Sequence, residues 1–163
     1  MIIPEIVKNV IKKSLFTPIA TYGKNGVHIS SCFNCTIIDD ERIAIPDGDL
    51  LITRKNIREN GEIVIMVVQF PHPFEKLSSK DKTNIFYDVV GYRIKGHATI
   101  LDKGEEFDMV KREWSYTKKA IVLKVDIILE CRLIDLLSKA CSISSTPEKM
   151  PFGGFSFLSD WDK

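Results

Sequence analysis

The sequence predicts a mainly β protein, a small β-barrel with a few α-helices, and three observations support that prediction. Segments rich in β-branched and apolar residues recur along the chain, separated by short turns. The last of them, Ala120 to Glu130, alternates apolar and polar residues with a period of two, as the wall of a barrel does. Helical signals are confined to short stretches near residues 4–14, 53–60 and 105–117.

Composition limits the protein to a few classes. The 163 residues suffice for one domain that buries about two thirds of its unfolded surface. Lys and Arg number 23 against 22 Asp and Glu, so no overall field attracts nucleic acid or anionic lipid. No apolar run approaches the ~20 residues that span a bilayer, and no targeting segment is evident. We therefore expect a cytoplasmic protein with reduced cysteines and no nucleic-acid or membrane partner.

The first part of the chain predicts a helix and a hairpin. Pro4 suits the first turn of a helix, and apolar residues follow it at helical spacing. Ile19–Tyr22 and Val27–Ile38 have the composition of strands. The pair Asn25-Gly26 between them supplies the positive φ angles that a tight hairpin needs.

The middle of the chain predicts a meander with one helical interruption. Arg42–Pro46 reads as a short strand, and the apolar Leu50–Ile52 follows a loop. Thr53 can cap a helical stretch that Gly61 ends. Glu62–Phe70 is nearly all apolar, which predicts a strand buried on both faces.

The last part predicts a long surface excursion, two strands, a helix and a tail. Pro71–Asp88 is long for a hairpin connection, and Val89–Leu101 reads as the next strand. Residues 1–130 are expected to form the barrel domain, and residues 131–163 an extension that packs on the barrel or on a dimer partner. Five apolar residues share one predicted face of the final strand: Ile121, Leu123, Val125, Ile127 and Leu129.

Two polar segments are candidates for a binding site. One face of the strand Val27–Ile38 carries polar side chains throughout, namely those of His28, Ser30, Cys32, Asn34 and Thr36. That face is either the solvated side of an antiparallel strand or a surface that hydrogen-bonds a planar polar ligand. The turn Thr53–Asn60 offers a hydroxyl, cations, an amide and a helix start, which suit a phosphate monoester; the alternative is a solvated basic turn.

Metal and dithiol chemistry are not expected. Cys32 and Cys35 form a C-x-x-C, but on a continuous strand the alternation would send their sulfurs to opposite faces. No second ligand pair with zinc-site spacing is evident. The histidines show no nucleophile or metal spacing, so catalytic residues cannot be named.

Several segments recur in the same order in a known superfamily: Ile19-Ala20-Thr21 with Asn25-Gly26, Arg42–Pro46, Thr53-x-x-Asn56, Gly91–Gly96 with Ala98, and Gly104–Phe107. In these residues the chain resembles the FMN-binding split-barrel superfamily, which includes pyridoxamine 5'-phosphate oxidases. It looks most like the small FMN-binding proteins of anaerobes. The resemblance covers about residues 15 to 130.

The resemblance implies a six-stranded antiparallel split barrel of Greek-key type, a homodimer with noncovalent FMN near the interface. The implied flavin contacts are Ser30, Ser31, Cys32, Phe33 and Asn34, with Phe33 packing by the ring in place of a tryptophan. The implied phosphate contacts are Ile52, Thr53, Arg54, Lys55 and Asn56. Because Ile52 stands where the relatives have a phosphate-contacting lysine, Arg54 or Lys55 is expected to replace that contact.

The resemblance does not extend to the substrate site of pyridoxamine 5'-phosphate oxidases. Their C-terminal arginine motif is not evident, since Arg132 is followed only by Leu133-Ile134-Asp135-Leu136. We therefore do not predict that reaction. The function expected is an oxidoreductase that reduces a small substrate with a nicotinamide donor. The alternatives are a non-catalytic FMN electron carrier and a relative that binds a deazaflavin or heme.

Overall fold

Three helices and seven strands occupy the residues that the structure, a computed structural model, describes: 1–69 and 89–132. The helices are α1 (Glu5–Lys13), α2 (Leu51–Asn60) and α3 (Glu105–Glu113). The strands are β1 (Thr17–Gly23), β2 (Gly26–Cys32), β3 (Thr36–Ile37), β4 (Arg42–Asp47), β5 (Glu62–Gln69), β6 (Val90–Leu101) and β7 (Lys119–Arg132). The predicted excursion Pro71–Asp88 and the extension beyond Arg132 lie outside the described residues.

The strands form one antiparallel sheet in the order β2-β1-β5-β6-β7-β4-β3. Its two edge strands, β2 and β3, are joined by only three residues, Phe33 to Cys35. A connection that short brings the two edges together, so the sheet curls into a barrel. The predicted antiparallel barrel is confirmed, and the two-residue β3 accounts for seven strands rather than six.

The β1–β2 hairpin is confirmed with one correction. Gly23 pairs with Gly26, so Lys24 and Asn25 form a two-residue turn. Gly26 has a φ of 97°, as expected, but Asn25 does not, because no non-glycine residue of the described chain has a positive φ. The turn is held by α2 instead, since the Lys24 backbone N–H donates to Glu59 Oε2 at 3.0 Å.

The predicted strand Val27–Ile38 is wrong in its continuity. The chain pairs with β1 as far as Cys32 and then leaves that edge to pair with β4 from Thr36. Between the two strands, the Asn34 amide nitrogen, in the orientation that satisfies its hydrogen bonds, donates to Ser14 O at 2.6 Å. The alternation of side chains therefore ends at Cys32, and faces inferred beyond it do not apply.

Helix α2 begins three residues earlier than predicted. Leu50 is the N-cap, and its backbone N–H donates to Asp47 Oδ1 at 2.6 Å, so Thr53 is not the cap. The apolar Leu51 and Ile52, which precede the predicted cap, consequently lie in the helix. The predicted end is confirmed, because Gly61 adopts the left-handed conformation with a φ of 75°.

The central strands are buried on one face more than on the other. Of β5, alternate residues from Ile63 to Val67 are buried, whereas the residues between them are only half-buried, which corrects the prediction of two buried faces.

A bulge interrupts β7, because Lys95 pairs with Ile127 while Gly96 pairs with Val125. The predicted apolar face of β7 therefore ends at Val125, and Ile127 is exposed.

The core fills the barrel and the space under two helices. Apolar residues of α1 pack with the isoleucines of β1, β4, β5 and β6 in one cluster. Phe107 and Val110 of α3 form a second cluster with β4 and β7. The helix α3 ends at Glu113, before the predicted residue 117. Among the described residues, no helix has the length and apolarity needed to cross a membrane.

Candidate functional site

In β2 the polar face is the more buried one and the apolar face is the exposed one, the reverse of what polarity suggests. His28 and Ser30 are half-buried and Cys32 is buried, although this is the polar face of the strand. Val27 and Ile29, on the other face, are 62% and 72% exposed. The polar face of β2 is therefore not its solvated side but the side that meets α2.

Hydroxyl and amide groups join β1, β2 and α2 in a buried polar junction, which comprises Thr21, Ser30, Thr53 and Asn56. The Ser30 and Thr53 hydroxyls lie 2.8 Å apart, and the Asn56 amide nitrogen donates to Thr21 Oγ1 at 3.1 Å. Thr53 is fully buried. The junction needs glycine at position 23, because a Cβ there would lie 2.2 Å from Asn56 Oδ1. The structure thus bonds Ser30 to Thr53 and Asn56 to Thr21; that Ser30, Thr53 and Asn56 contact a cofactor stays a prediction.

The cations of α2 have different environments. Arg54 Nη1 donates to Asp47 Oδ2 at 2.7 Å, and Asp47 is fully buried. The Arg54 guanidinium therefore stabilises the buried Asp47 carboxylate within the protein. Lys55 is exposed and forms no ion pair in the described part of the chain. Of the two residues expected to replace the missing lysine, only Lys55 presents an uncommitted charge.

The first turn of α2 offers backbone donors beside these side chains. The Leu51 N–H donates to Asp49 O, and the first intrahelical bond is that of Arg54 N–H to Leu50 O. The N–H groups of Ile52 and Thr53 have no acceptor within the helix, as at any helix start. Together with the positive end of the helix dipole, they favour an anion there. The Ile52 side chain is 54% exposed.

An outer apolar face covers β2 and its neighbours on the side away from α2. Paired residues of antiparallel strands share a face, and the register pairs Tyr22 with Val27 and Ala20 with Ile29. Ala20 pairs in turn with Val64 of β5, so the apolar surface continues across a third strand. Just beyond β2, Phe33 is 70% exposed. We call Ala20, Tyr22, Val27, Ile29 and Val64 the outer apolar face.

The cysteine pair is a further correction. Because the strand breaks after Cys32, the two sulfurs do not point to opposite faces: their Sγ atoms lie 4.0 Å apart, and both residues are buried. The hydrogen bond with Cys35, and then burial, raises the pKa of the Cys32 thiol far above its ordinary range. Within residues 1–69 and 89–132, no group of three or more His, Cys, Asp or Glu could hold a metal ion.

An open pocket of about 310 Å³ lies beside the cysteine pair, between α1, β3 and the end of α3. Cys35 and Asn34 form part of its wall, and Glu113 and Trp114 lie at its α3 side. The Thr36 hydroxyl donates to Glu113 Oε2 at 2.5 Å and accepts from Trp114 Nε1 at 3.0 Å. Nothing in the sequence pattern indicated this pocket, because its walls come from segments about 80 residues apart in sequence.

Comparison with protein families agrees with this architecture. The family model described as pyridoxamine 5'-phosphate oxidase matches residues 3–130, most of the chain. The chain belongs to this family. The resemblance stated from the sequence is thereby confirmed. A comparison with proteins of curated function found no match.

Solved structures share the fold of this family member. HupZ of Group A Streptococcus is 23% identical, with 80% of this chain and 94% of that chain covered and a TM-score of 0.62. An FMN-binding protein from Syntrophomonas wolfei subsp. wolfei is 24% identical, with coverages of 77% and 89% and a TM-score of 0.56. An F420 reductase is 13% identical, with coverages of 78% and 98% and a TM-score of 0.54. At these identities the likeness concerns the fold.

Within this family fold, the predicted site residues fall into distinct groups. Three lie in the buried polar junction: Ser30, Thr53 and Asn56. Four are exposed: Ser31, Phe33, Ile52 and Lys55. Cys32, Asn34 and Arg54 are engaged by Cys35, Ser14 and Asp47. Sequence reasoning missed Thr21 and Asp47, whose roles depend on contacts with α2 that no local motif signals.

Proposed function

We propose that this chain is an FMN-binding flavoprotein that acts as an oxidoreductase on a small substrate, with FMN held noncovalently in a homodimer. The observation that carries the proposal is the start of α2, which offers backbone donors. The Ser30–Thr53 hydroxyl pair lies on the buried side of this helix, and the exposed Lys55 follows one turn after Leu51. The related fold of an FMN-binding protein supports it. The bound flavin would supply the redox chemistry, so the residues of the chain need only bind and orient it.

The donors fit a phosphate monoester. The N–H groups of Ile52 and Thr53 and the Lys55 ammonium are all hydrogen-bond donors, two of them at the positive end of a helix. Between the two hydroxyls of Ser30 and Thr53, one hydrogen is used in their mutual bond and the other remains available. Ser30 is only half-buried, so this second hydrogen can reach a ligand through its hydroxyl.

Residues at the end of β2 and directly after it suit the flavin ring. Phe33 is 70% exposed and offers an aromatic surface for stacking. Ser31 is exposed next to it. The Asn34 amide nitrogen donates a hydrogen bond to Ser14 O, so its Oδ1 is the atom that remains for a ligand. We therefore assign Ser31 and Asn34 Oδ1, with Phe33, to the ring.

A second copy of the chain is the proposed occupant of the outer apolar face. This face spans three adjacent strands, and its residues Val27, Ile29 and Tyr22 are all more than half exposed. Contiguous exposed apolar surface of this kind is typical of protein interfaces. Because β2 is also an edge strand, a partner there would cover an unpaired strand as well.

The pocket beside Asn34 favours an enzyme over an electron carrier. A carrier needs only an exposed flavin edge, whereas an enzyme needs room for a substrate, and a pocket of about 310 Å³ provides it. Flavin-dependent oxidation of NADH or NADPH with turnover supports the enzyme. Electron transfer to a protein acceptor without such turnover supports the carrier.

The first experiment is a visible absorption spectrum of the purified protein, repeated after addition of FMN and desalting. Retention of a flavin spectrum is expected. Parallel titrations with F420 and heme test the other two cofactors. F420 is included because an F420 reductase shares the fold. Preferential retention of F420 or heme would reject FMN.

The phosphate contact is tested by Lys55→Ala, with Lys103→Ala as a control because Lys103 is also exposed and lies between β6 and α3. A charge-assisted contact contributes about 1.5–3 kcal/mol, so we expect the Kd for FMN to rise roughly tenfold to a hundredfold in Lys55→Ala alone. Riboflavin, which lacks the phosphate, should bind both variants equally. Equal FMN affinities in the two variants would remove Lys55 from the site.

A further inference from the structure

The cysteine pair in the connection between the two edge strands has the arrangement of a reactive dithiol. The Sγ atoms of Cys32 and Cys35 lie 4.0 Å apart, and both cysteines are reduced. A disulfide requires a sulfur separation of about 2.05 Å, so a shift of about 2 Å closes the pair. Only Phe33 and Asn34 separate the cysteines, and these residues belong to no strand. The required movement therefore breaks no strand pairing at Phe33 or Asn34.

One member of the pair borders the pocket, although both cysteines are equally buried. Cys35 forms part of the wall of the open pocket between α1, β3 and α3, whereas Cys32 does not. Each thiol donates a weak hydrogen bond within the protein, Cys32 to Asn34 O at 3.4 Å and Cys35 to Thr17 Oγ1 at 3.7 Å. A small molecule in the pocket consequently meets Cys35 first.

We propose that Cys32 and Cys35 form an intramolecular disulfide by exchange with a low-molecular-weight disulfide that enters this pocket. The Cys35 thiolate attacks one sulfur of the small disulfide, which gives a mixed disulfide and releases one thiol. Cys32, as its thiolate, then attacks Cys35 Sγ and releases the second thiol. Overall, the protein dithiol is oxidised, the small disulfide is reduced to two thiols, and no proton is gained or lost.

The environment makes Cys32 the second nucleophile. Its thiol is buried and does not line the pocket. The hydrogen bond with Cys35, and then burial, raises the pKa of the Cys32 thiol, which disfavours its thiolate in the reduced pair. Once Cys35 Sγ carries the mixed disulfide, it can no longer donate to Thr17, and Cys32 lies next to the sulfur that it must attack. Exchange is expected to be slower than for an exposed thiol, because both cysteines are buried and burial disfavours the Cys32 thiolate.

The probe is hydroxyethyl disulfide, which is small enough for the pocket. Native protein is incubated with it, denatured, alkylated with iodoacetamide and digested with trypsin. Cleavage after Lys24 and Arg42 leaves both cysteines in one peptide, while Cys131 falls in another. We expect the first peptide to be two hydrogens lighter and unalkylated, and the Cys131 peptide to be alkylated. A fully alkylated first peptide, or reaction at Cys131 alone, would overturn the proposal.

Two variants test the order of attack. Cys32→Ser should accumulate the mixed disulfide on Cys35, because the second step is blocked. Cys35→Ser should leave Cys32 at least tenfold slower to react, and Cys131→Ser should match the native protein. Equal rates in Cys32→Ser and Cys35→Ser would contradict the assigned order. If either variant does not fold, the peptide mass from the native chain still decides whether the pair closes. The reaction requires no flavin, so its outcome is independent of the proposed cofactor.

Discussion

The inner and outer faces of β2 differ in a way that reverses the usual relation between polarity and burial. The inner face places Ser30 against the fully buried Thr53 of α2, so the Ser30 hydroxyl is half-buried and hydrogen-bonded. The outer face carries Val27 and Ile29, which are mostly exposed. A buried polar face is stable when its hydrogen bonds are satisfied, and an exposed apolar face indicates a binding surface. The difference teaches that β2 contacts its own chain through polar groups and is suited to contact something else through apolar ones.

The largest effect is expected on the inner side, at the ion pair of α2. Arg54→Ala leaves the fully buried Asp47 carboxylate without its cation. Loss of one partner of a buried pair typically costs about 3–5 kcal/mol, and we expect a loss of that size in the free energy of unfolding, measured with urea. Lys55→Ala is the neighbouring control, and it should change stability by less than about 0.5 kcal/mol. Equal losses in the two variants would show that the pair does not stabilise α2.

The next largest effect is expected on the outer side. Ile29→Asp places a charge on the outer apolar face. We expect the free energy of association of the proposed dimer to weaken by about 2 kcal/mol or more, so its dissociation constant should rise roughly thirtyfold. Light scattering over a dilution series measures this. Because Ile29 is 72% exposed, the fold should be unaffected.

The matched control for that variant is Ile6→Asp, since Ile6 is 63% exposed but lies on α1. Its dimer should be as stable as that of the unmodified chain. If Ile6→Asp weakens the dimer and Ile29→Asp does not, the interface lies elsewhere and the outer apolar face of β2 needs another explanation.

The smallest effect is expected at the polar junction. Thr53→Val removes the bond between the Thr53 and Ser30 hydroxyls and should cost about 1 kcal/mol of stability. Thr99→Val, at an exposed position of β6, should cost less. Combining Thr53→Val with Ser30→Ala should cost less than the sum of the two single changes, because both remove the same bond. Losses of stability that add fully would show that the Ser30 and Thr53 hydroxyls do not interact.

Much of the fold was predictable because its signals are local. The hairpin between β1 and β2 and the end of α2 at Gly61 depend on positive φ angles, which glycine adopts most readily. The start of α2 was not predictable, because Asp47 binds the Leu50 N–H from the preceding strand. The bulge opposite Gly96 was not predictable either: a Cβ there would lie 1.9 Å from Lys124 O, a contact that exists only when β6 and β7 pair.

The sequence named candidate site residues but could not give their arrangement. The resemblance named Ser30 and Thr53, and the structure brings their hydroxyls together. It also named Arg54, whose guanidinium is instead engaged by Asp47. Residue type determines which hydrogen bonds a side chain can make, but the partner it meets depends on the packing of α2 against the barrel.

The sequence by itself determined most of the strands, the hairpin between β1 and β2, the end of α2 and the family. Only the tertiary structure decided which face of β2 points inward and that Cys32 and Cys35 lie side by side. The physical reason is that a period of two defines two faces of a strand without assigning either to the core. That assignment depends on what packs against the strand. Here α2 supplies hydrogen-bond partners to one face of β2, and the other is left exposed and apolar.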